Sequence, residues 1–149
     1  MVSVRRMHKN DMATLYDIAL RSFQSDYEKY GVYPPLINLK RKRFLPPRIF
    51  GKTILADNAI IGGAFVAGFG RKGEIGAIFI DPCEQHKGYG KHVMLIIEEM
   101  YPSVTQWKLE TLAESYALHR FYESLGYVKT GERKDEKSGM VGFIYEKTL

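Results

Sequence analysis

The sequence predicts an α/β fold: one domain, residues 1–149, built on a central mixed sheet with about four helices packed against it. Three observations carry this. A chain of 149 residues, 45% hydrophobic and 26% charged, is long and apolar enough to bury a sizeable core. Short β-prone runs and helical apolar stripes alternate in the order β, α, α, β-meander, α, β, α, β, β. No internal repeat, linker or low-complexity stretch interrupts them.

Val2 to Met7 reads as the first strand. Asn10 or Asp11 can cap the helix that follows, because a short side-chain oxygen accepts from an unpaired first-turn N–H. Met12, Leu15, Tyr16, Ala19 and Phe23 then form one apolar stripe. Tyr27, Tyr30 and Tyr33 lead into Pro34-Pro35, where a regular helix stops. Residues 36–50 are basic and aromatic, broken by Pro46-Pro47, and read as a second short helix with a loop.

From Gly51 the pattern turns to strands. Thr53 to Leu55 and Ile60 to Phe69 flank Asp57-Asn58, a hairpin turn pair. The turn Gly70 to Gly73 leads to a fourth strand, Glu74 to Ile80, which Asp81-Pro82 ends because proline cannot donate to the ladder. Val93, Ile96, Ile97 and Met100 mark a helix from Tyr89 to Met100, and Gln106 to Leu112 is the fifth strand. Leu118, Phe121, Tyr122 and Leu125 stripe a helix from Ser115 to Leu125, with Gly126 at its left-handed cap. Two last strands, near Tyr127 to Arg133 and Met140 to Glu146, surround the polar turn Lys134 to Gly139.

Composition removes several classes of function. A single cysteine, Cys83, forms no internal disulfide, so nothing marks a stapled secreted fold. The basic N-terminus lacks an apolar run behind it, unlike a signal peptide. After Asp57 the longest uncharged stretch is Asn58 to Gly70, glycine-rich and short of the ~20 residues of a membrane helix. A cytoplasmic protein with no membrane partner is the expectation. The net charge of +5 leaves an anionic partner open.

Between a strand and a helix stands Gln85-His86-Lys87-Gly88-Tyr89-Gly90-Lys91. Two glycines let the backbone turn tightly, and the following helix offers unpaired N–H groups and its positive dipole end. That combination forms an anion site, with Lys87 and Lys91 adding charge. It lacks the Gly-Lys-Ser/Thr ending of a P-loop and the third glycine of a dinucleotide fingerprint. A glycine-containing turn with no ligand is the plainer alternative.

The surrounding motifs resemble the GNAT superfamily of acyl-CoA-dependent N-acetyltransferases. One is a strand ending in Asp-Pro, followed by Gln-x-x-Gly-x-Gly at the head of a helix, here Ile78 to Gly90. The other is Phe121-Tyr122-Glu123-Ser124-Leu125-Gly126-Tyr127, about 30 residues on as in the family. Residues 51–149 carry the resemblance, and residues 1–50 share only the order of elements. It implies a mostly antiparallel twisted sheet splayed between strands 4 and 5, acetyl-CoA as acyl donor, no metal, and direct attack by an amine in a ternary complex.

The resemblance also assigns residues. Backbone amides of His86, Lys87, Gly88, Tyr89, Gly90 and Lys91, behind Gln85, would hold the pyrophosphate. Ile78, Phe79 and Ile80 would pair with the pantetheine arm, and an N–H near Ile80 would polarise the thioester carbonyl. Tyr122 falls on the general-acid tyrosine, although its place on an apolar stripe equally suits core packing. Glu74 and Glu110 compete as base, each with a solvent-facing or salt-bridged alternative, and water can replace both. Ser115 stands where many relatives place an asparagine that contacts the cofactor, and it is also a natural helix cap. Phe23, Tyr27, Tyr30 and Tyr33 would line the acceptor pocket. The acceptor would be an amine of a small molecule, favoured over a protein, and a homodimer stays open.

Other signals carry less. Cys83-x-x-His86 lacks the second half of a zinc site and has no orienting group for a nucleophilic dyad. His8, His92 and His119 show no ligand spacing and read as surface or boundary residues. Lys40, Arg41, Lys42, Arg43, Arg48 and Lys52 put six positive charges into residues 40–52, leaving 16 basic against 17 acidic elsewhere. The basicity is local, so nucleic-acid binding through 40–52 is the weaker rival. A non-catalytic acyl-CoA sensor is the other.

Overall fold

The computed structural model describes residues 1–30, 50–136 and 139–149. Apart from Phe50, the second helix expected over 36–50 lies outside the described residues, as do Tyr33 and the basic run from Lys40 to Arg48. Seven strands form one sheet in the order β1-β2-β3-β4-β5-β7-β6. β1 (Val2–Arg6), β2 (Gly51–Ala56), β3 (Ala59–Phe69) and β4 (Lys72–Ile80) are antiparallel neighbours. So are β5 (Gln106–Leu112), β7 (Val141–Thr148) and β6 (Val128–Lys134). β4 and β5 run parallel and are joined by a helical crossover, as parallel neighbours require.

Four helices among the described residues are α1 (Met12–Ser22), α2 (Gln24–Tyr30), α3 (Tyr89–Met100) and α4 (Tyr116–Ser124). α1 packs Leu15, Ile18 and Ala19 onto Phe65, Ala77 and Phe79 on one face of the sheet. α3 brings Val93, Met94 and Ile97 to the other face, with Trp107, Tyr122, Tyr127 and Tyr145. None of these helices is long and apolar enough to cross a membrane.

Local chemistry explains the turns. Asp57 and Asn58 have φ of 50° and 68°, the positive pair that a two-residue hairpin turn needs. Asp11 departs from the cap expected of it. It stands at the head of α1, yet makes no side-chain bond to the amides of that helix. Its carboxylate accepts from the His8 N–H at 2.8 Å, closing a 3-10 turn over Lys9–Asp11, and from Arg5 and the Thr53 hydroxyl.

The feature that positions the site is a bulge in β4. Phe65 pairs with Ala77 but Val66 pairs with Ile75, so Gly76 is an extra residue on β4. The slip reverses which face each side chain meets: Ile75 joins the α3 side, while Ala77 and Phe79 join the α1 side. A bulge bends its strand and raises the local twist. Pairing with β5 ends at the same place, Ile75 opposite Leu109. From Gly76 onward the two strands part, giving the splay that the resemblance implied.

Candidate active site

The fork between β4 and β5 opens into a cavity of about 630 Å³. β4 contributes Glu74 to Ile78, and β5 contributes Leu109 to Leu112. Ser115, Leu118 and Tyr122 come from α4 and its approach, and Phe23 from the end of α1. The β6–β7 hairpin closes one side with Arg133, Lys134, Asp135, Met140 and Gly142.

Tyr122 is 6% exposed, with its ring 5.2 Å from Phe121 and 5.9 Å from Tyr127. Packing and access to the cavity are therefore both true of it. Burial pushes its hydroxyl up to about 12, because the phenolate would lose its water. The group stays protonated through the neutral range.

Of the three carboxylates that line the cavity, Glu74 and Glu110 on β4 and β5 stand in different surroundings. Glu110 is gripped by Arg133, whose Nη2 donates to Oε2 at 2.8 Å and whose Nε donates to Oε1 at 3.2 Å. Its carboxylate lies on the backbone of Gly142, so close that any Cβ there would collide with it. Glu74 is exposed and has no ion pair recorded among the described residues. Ser115 precedes α4 without a side-chain cap bond and lines the cavity instead.

At the far end of β4 the strand is clamped to α1 and to the loop after it. The Ile80 carbonyl accepts from Ser22 Oγ at 3.0 Å and from Gln85 Nε2 at 2.9 Å. Asp81 takes both Arg21 Nη1 at 2.6 Å and Nη2 at 3.0 Å, and also accepts from the Cys83 N–H. The Arg21 guanidinium holds the Asp81 carboxyl below the usual carboxylate range. Gln85 thus braces the loop with its side chain, and Lys87 is tied to Glu84 at 2.9 Å. Phe79 is 4% exposed and packs on Phe23, so its side chain is withdrawn from any ligand.

The two loop glycines serve different ends. Gly88 is the N-cap of α3 at φ 81°, ψ 5°, with open space where a Cβ would sit. A left-handed residue is needed there, and no capping side chain covers the first amides of the helix. Gly90 is needed for packing: a Cβ would stand 3.1 Å from Cζ of Phe121.

Of the expected acceptor residues, Phe23 reaches the cavity. Tyr27 is 42% exposed and is not among the lining residues, and Tyr33 and the side chain of Tyr30 lie outside what is described. His119 corrects the surface reading: it is buried, its Nε2 donates to the Leu112 carbonyl at 2.8 Å, and its ring stacks on Phe143. Arg133, Gly142 and Gly76 were missed. A lone glycine inside an apolar strand signals a bulge, so Gly76 was legible. Arg133 lies 23 residues from Glu110, beyond any local pattern.

The model of the acetyltransferase (GNAT) family matches residues 12–127. Among solved structures, the PaiA N-acetyltransferase of Thermoplasma acidophilum, in complex with coenzyme A, is 20% identical. It superposes with a TM-score of 0.76 over 100% of this chain and 99% of that one. Ard1 from Thermoplasma volcanium is 18% identical, with a TM-score of 0.75 over 99% and 97% of the two chains. An acetyltransferase from Thermus thermophilus is 13% identical, with a TM-score of 0.76 over 100% and 97%. A search of curated proteins finds no match. At such identities these structures are alike in fold.

Proposed function

The chain belongs to the acetyltransferase (GNAT) family, and from that premise we propose that it moves an acetyl group from acetyl-coenzyme A to a primary amine by direct attack. The observation that carries this is the Tyr122 hydroxyl, buried and protonated, in a cavity that opens where β4 leaves β5. The residues suit the donor. The uncapped head of α3 presents backbone amides from Gly88 to Lys91, fit to receive a pyrophosphate. β4 beyond Gly76 pairs with no strand on its β5 side among the described residues, leaving an open backbone edge for an extended arm up to Ile80, whose carbonyl Ser22 and Gln85 already engage.

Acetyl-coenzyme A would supply a thioester-activated acetyl group and a thiol as leaving group. The rest falls to this chain. Glu74, with no ion pair among the described residues, accepts a proton from the incoming amine directly or through water. An N–H near Ile80 donates to the carbonyl oxygen as charge grows on it. Tyr122 donates towards the departing sulfur. Glu110, held on both oxygens by Arg133, orients the acceptor.

A screen of primary amines against acetyl-coenzyme A, following free-thiol release, tests the reading. Turnover should appear with at least one acceptor, and Glu74→Gln should lower kcat/KM by about 10²-fold. Tight coenzyme A binding without turnover on any amine would leave only a sensor.

A further inference from the structure

Resting on the acetyl-transfer reading, we infer that the acceptor is a small amino acid, recognised through its carboxylate by Arg133 and through its amine by Glu110. Arg133 sits on the β6–β7 hairpin with its side chain 73% exposed. A pair this accessible contributes little to stability. Its geometry is nevertheless fixed on both sides: two nitrogens meet two oxygens, and Gly142 seats the carboxylate by having no side chain of its own.

The fork leaves specific valences open. A guanidinium has five N–H donors and Glu110 takes two, so three remain for a second carboxylate. A carboxylate has about four lone-pair sites, two of them used here, so Glu110 can still accept from an ammonium. An Arg–Glu pair lying side by side therefore matches a zwitterion laid across it, positive on negative at both ends. A purely cationic amine would meet Glu110 but leave the open donors of Arg133 unanswered. A peptide N-terminus would bring an amide where the wall offers a guanidinium.

Position supports the same orientation. Glu110 is the first β5 residue past the last β4–β5 pair, Ile75 opposite Leu109. An amine held there stands at the mouth of the fork, facing the cavity that Tyr122 and Glu74 also line. As the N–C bond forms and the C–S bond breaks, the sulfur keeps the bonding pair. The ammonium gives up two protons, one towards Glu74 and solvent and one that ends on sulfur.

The test uses the whole chain, saturating acetyl-coenzyme A and free amino acids, each paired with its own carboxamide. In the unmodified protein the acids should exceed their amides in kcat/KM by about 10-fold or more. Arg133→Gln should lower both through the loosened Glu110, and the acids by about 10-fold or more beyond the amides, so that the preference for acids disappears. As a readout without turnover, N-acetylated acids in the presence of coenzyme A should raise Tm, and Arg133→Gln should abolish the rise. Amides turned over as well as or better than acids would overturn the inference while leaving acetyl transfer standing. So would an equal loss on acids and amides in Arg133→Gln, which would make Arg133 only an orienter of Glu110. No turnover of and no Tm response to these compounds, in a protein that acetylates other amines, would overturn the inference alone, whereas coenzyme A binding without turnover on any primary amine would overturn both readings.

Discussion

At the scale of single residues, Tyr122 shows how burial sets the state of a proton. Burial keeps its proton up to about pH 12, so the hydroxyl is in its donor form wherever the protein would work. The same burial makes complete transfer to a thiolate uphill, since a free thiol has a pKa of about 8.5. In the reaction proposed above its contribution is then a hydrogen bond to sulfur that strengthens as charge develops, with the proton following late. Tyr122→Phe keeps the packing against Phe121 and Tyr127 and removes that bond. It should lower kcat on the order of 10²-fold, by a constant factor from pH 6 to pH 9 because the group does not titrate there. Profiles that converge at the alkaline end, or near-normal turnover, would contradict this. That Tyr122 lines the cavity was legible in the sequence because its motif is contiguous, and so was the place of both carboxylates beside it. What distinguishes Glu110 from Glu74 was not legible, because the partner that engages Glu110 stands on another strand.

Among elements, the strands and helices of the described residues followed their periodicities to within about two residues, since apolar spacing is a local property that folding preserves. The bulge at Gly76 was legible only as a glycine out of place, and its consequence, a change of face along β4, needed the neighbouring strand to be seen. The loop at the head of α3 separates two explanations that the sequence merges. Gly88 answers a backbone requirement, whereas Gly90 answers the approach of Phe121 on α4. Gly90→Val should push α3 away from α4 and raise KM for acetyl-coenzyme A by about 10-fold, the size of a displaced phosphate contact. Adding Phe121→Ala should recover most of that loss. A double variant as impaired as Gly90→Val alone would show that the glycine is needed for the ligand itself.

Across the whole molecule, the sheet consists of two antiparallel halves that meet through only four parallel residue pairs, Lys72 to Ile75 with Gln106 to Leu109. A short seam suits a site that must open on one side, but each half then has to be rigid in itself. In the first half that rigidity centres on Asp11, which is 5% exposed and receives Arg5 at 2.7 and 3.1 Å, the His8 N–H and the Thr53 hydroxyl. One carboxylate thus ties β1, β2 and the entry to α1. The hydrogen bonds from Arg5, offset in part by burial, hold its carboxyl well below the usual range. A depressed folded value means that the unfolded chain takes up its proton first, near pH 3.9. The stabilisation is therefore complete above about pH 4 and is lost as pH falls towards the folded value. Asp11→Asn should cost about 2–4 kcal/mol near neutrality, because it leaves Arg5 without its counter-charge and disturbs the Thr53 bond. The gap in Tm between the two proteins should stay flat from pH 7 to about 5 and narrow below about 4. Asp81, present in both, titrates equally and cancels from the comparison. A gap that held constant down to pH 2 would mean that Asp11 acts through its shape and not its charge.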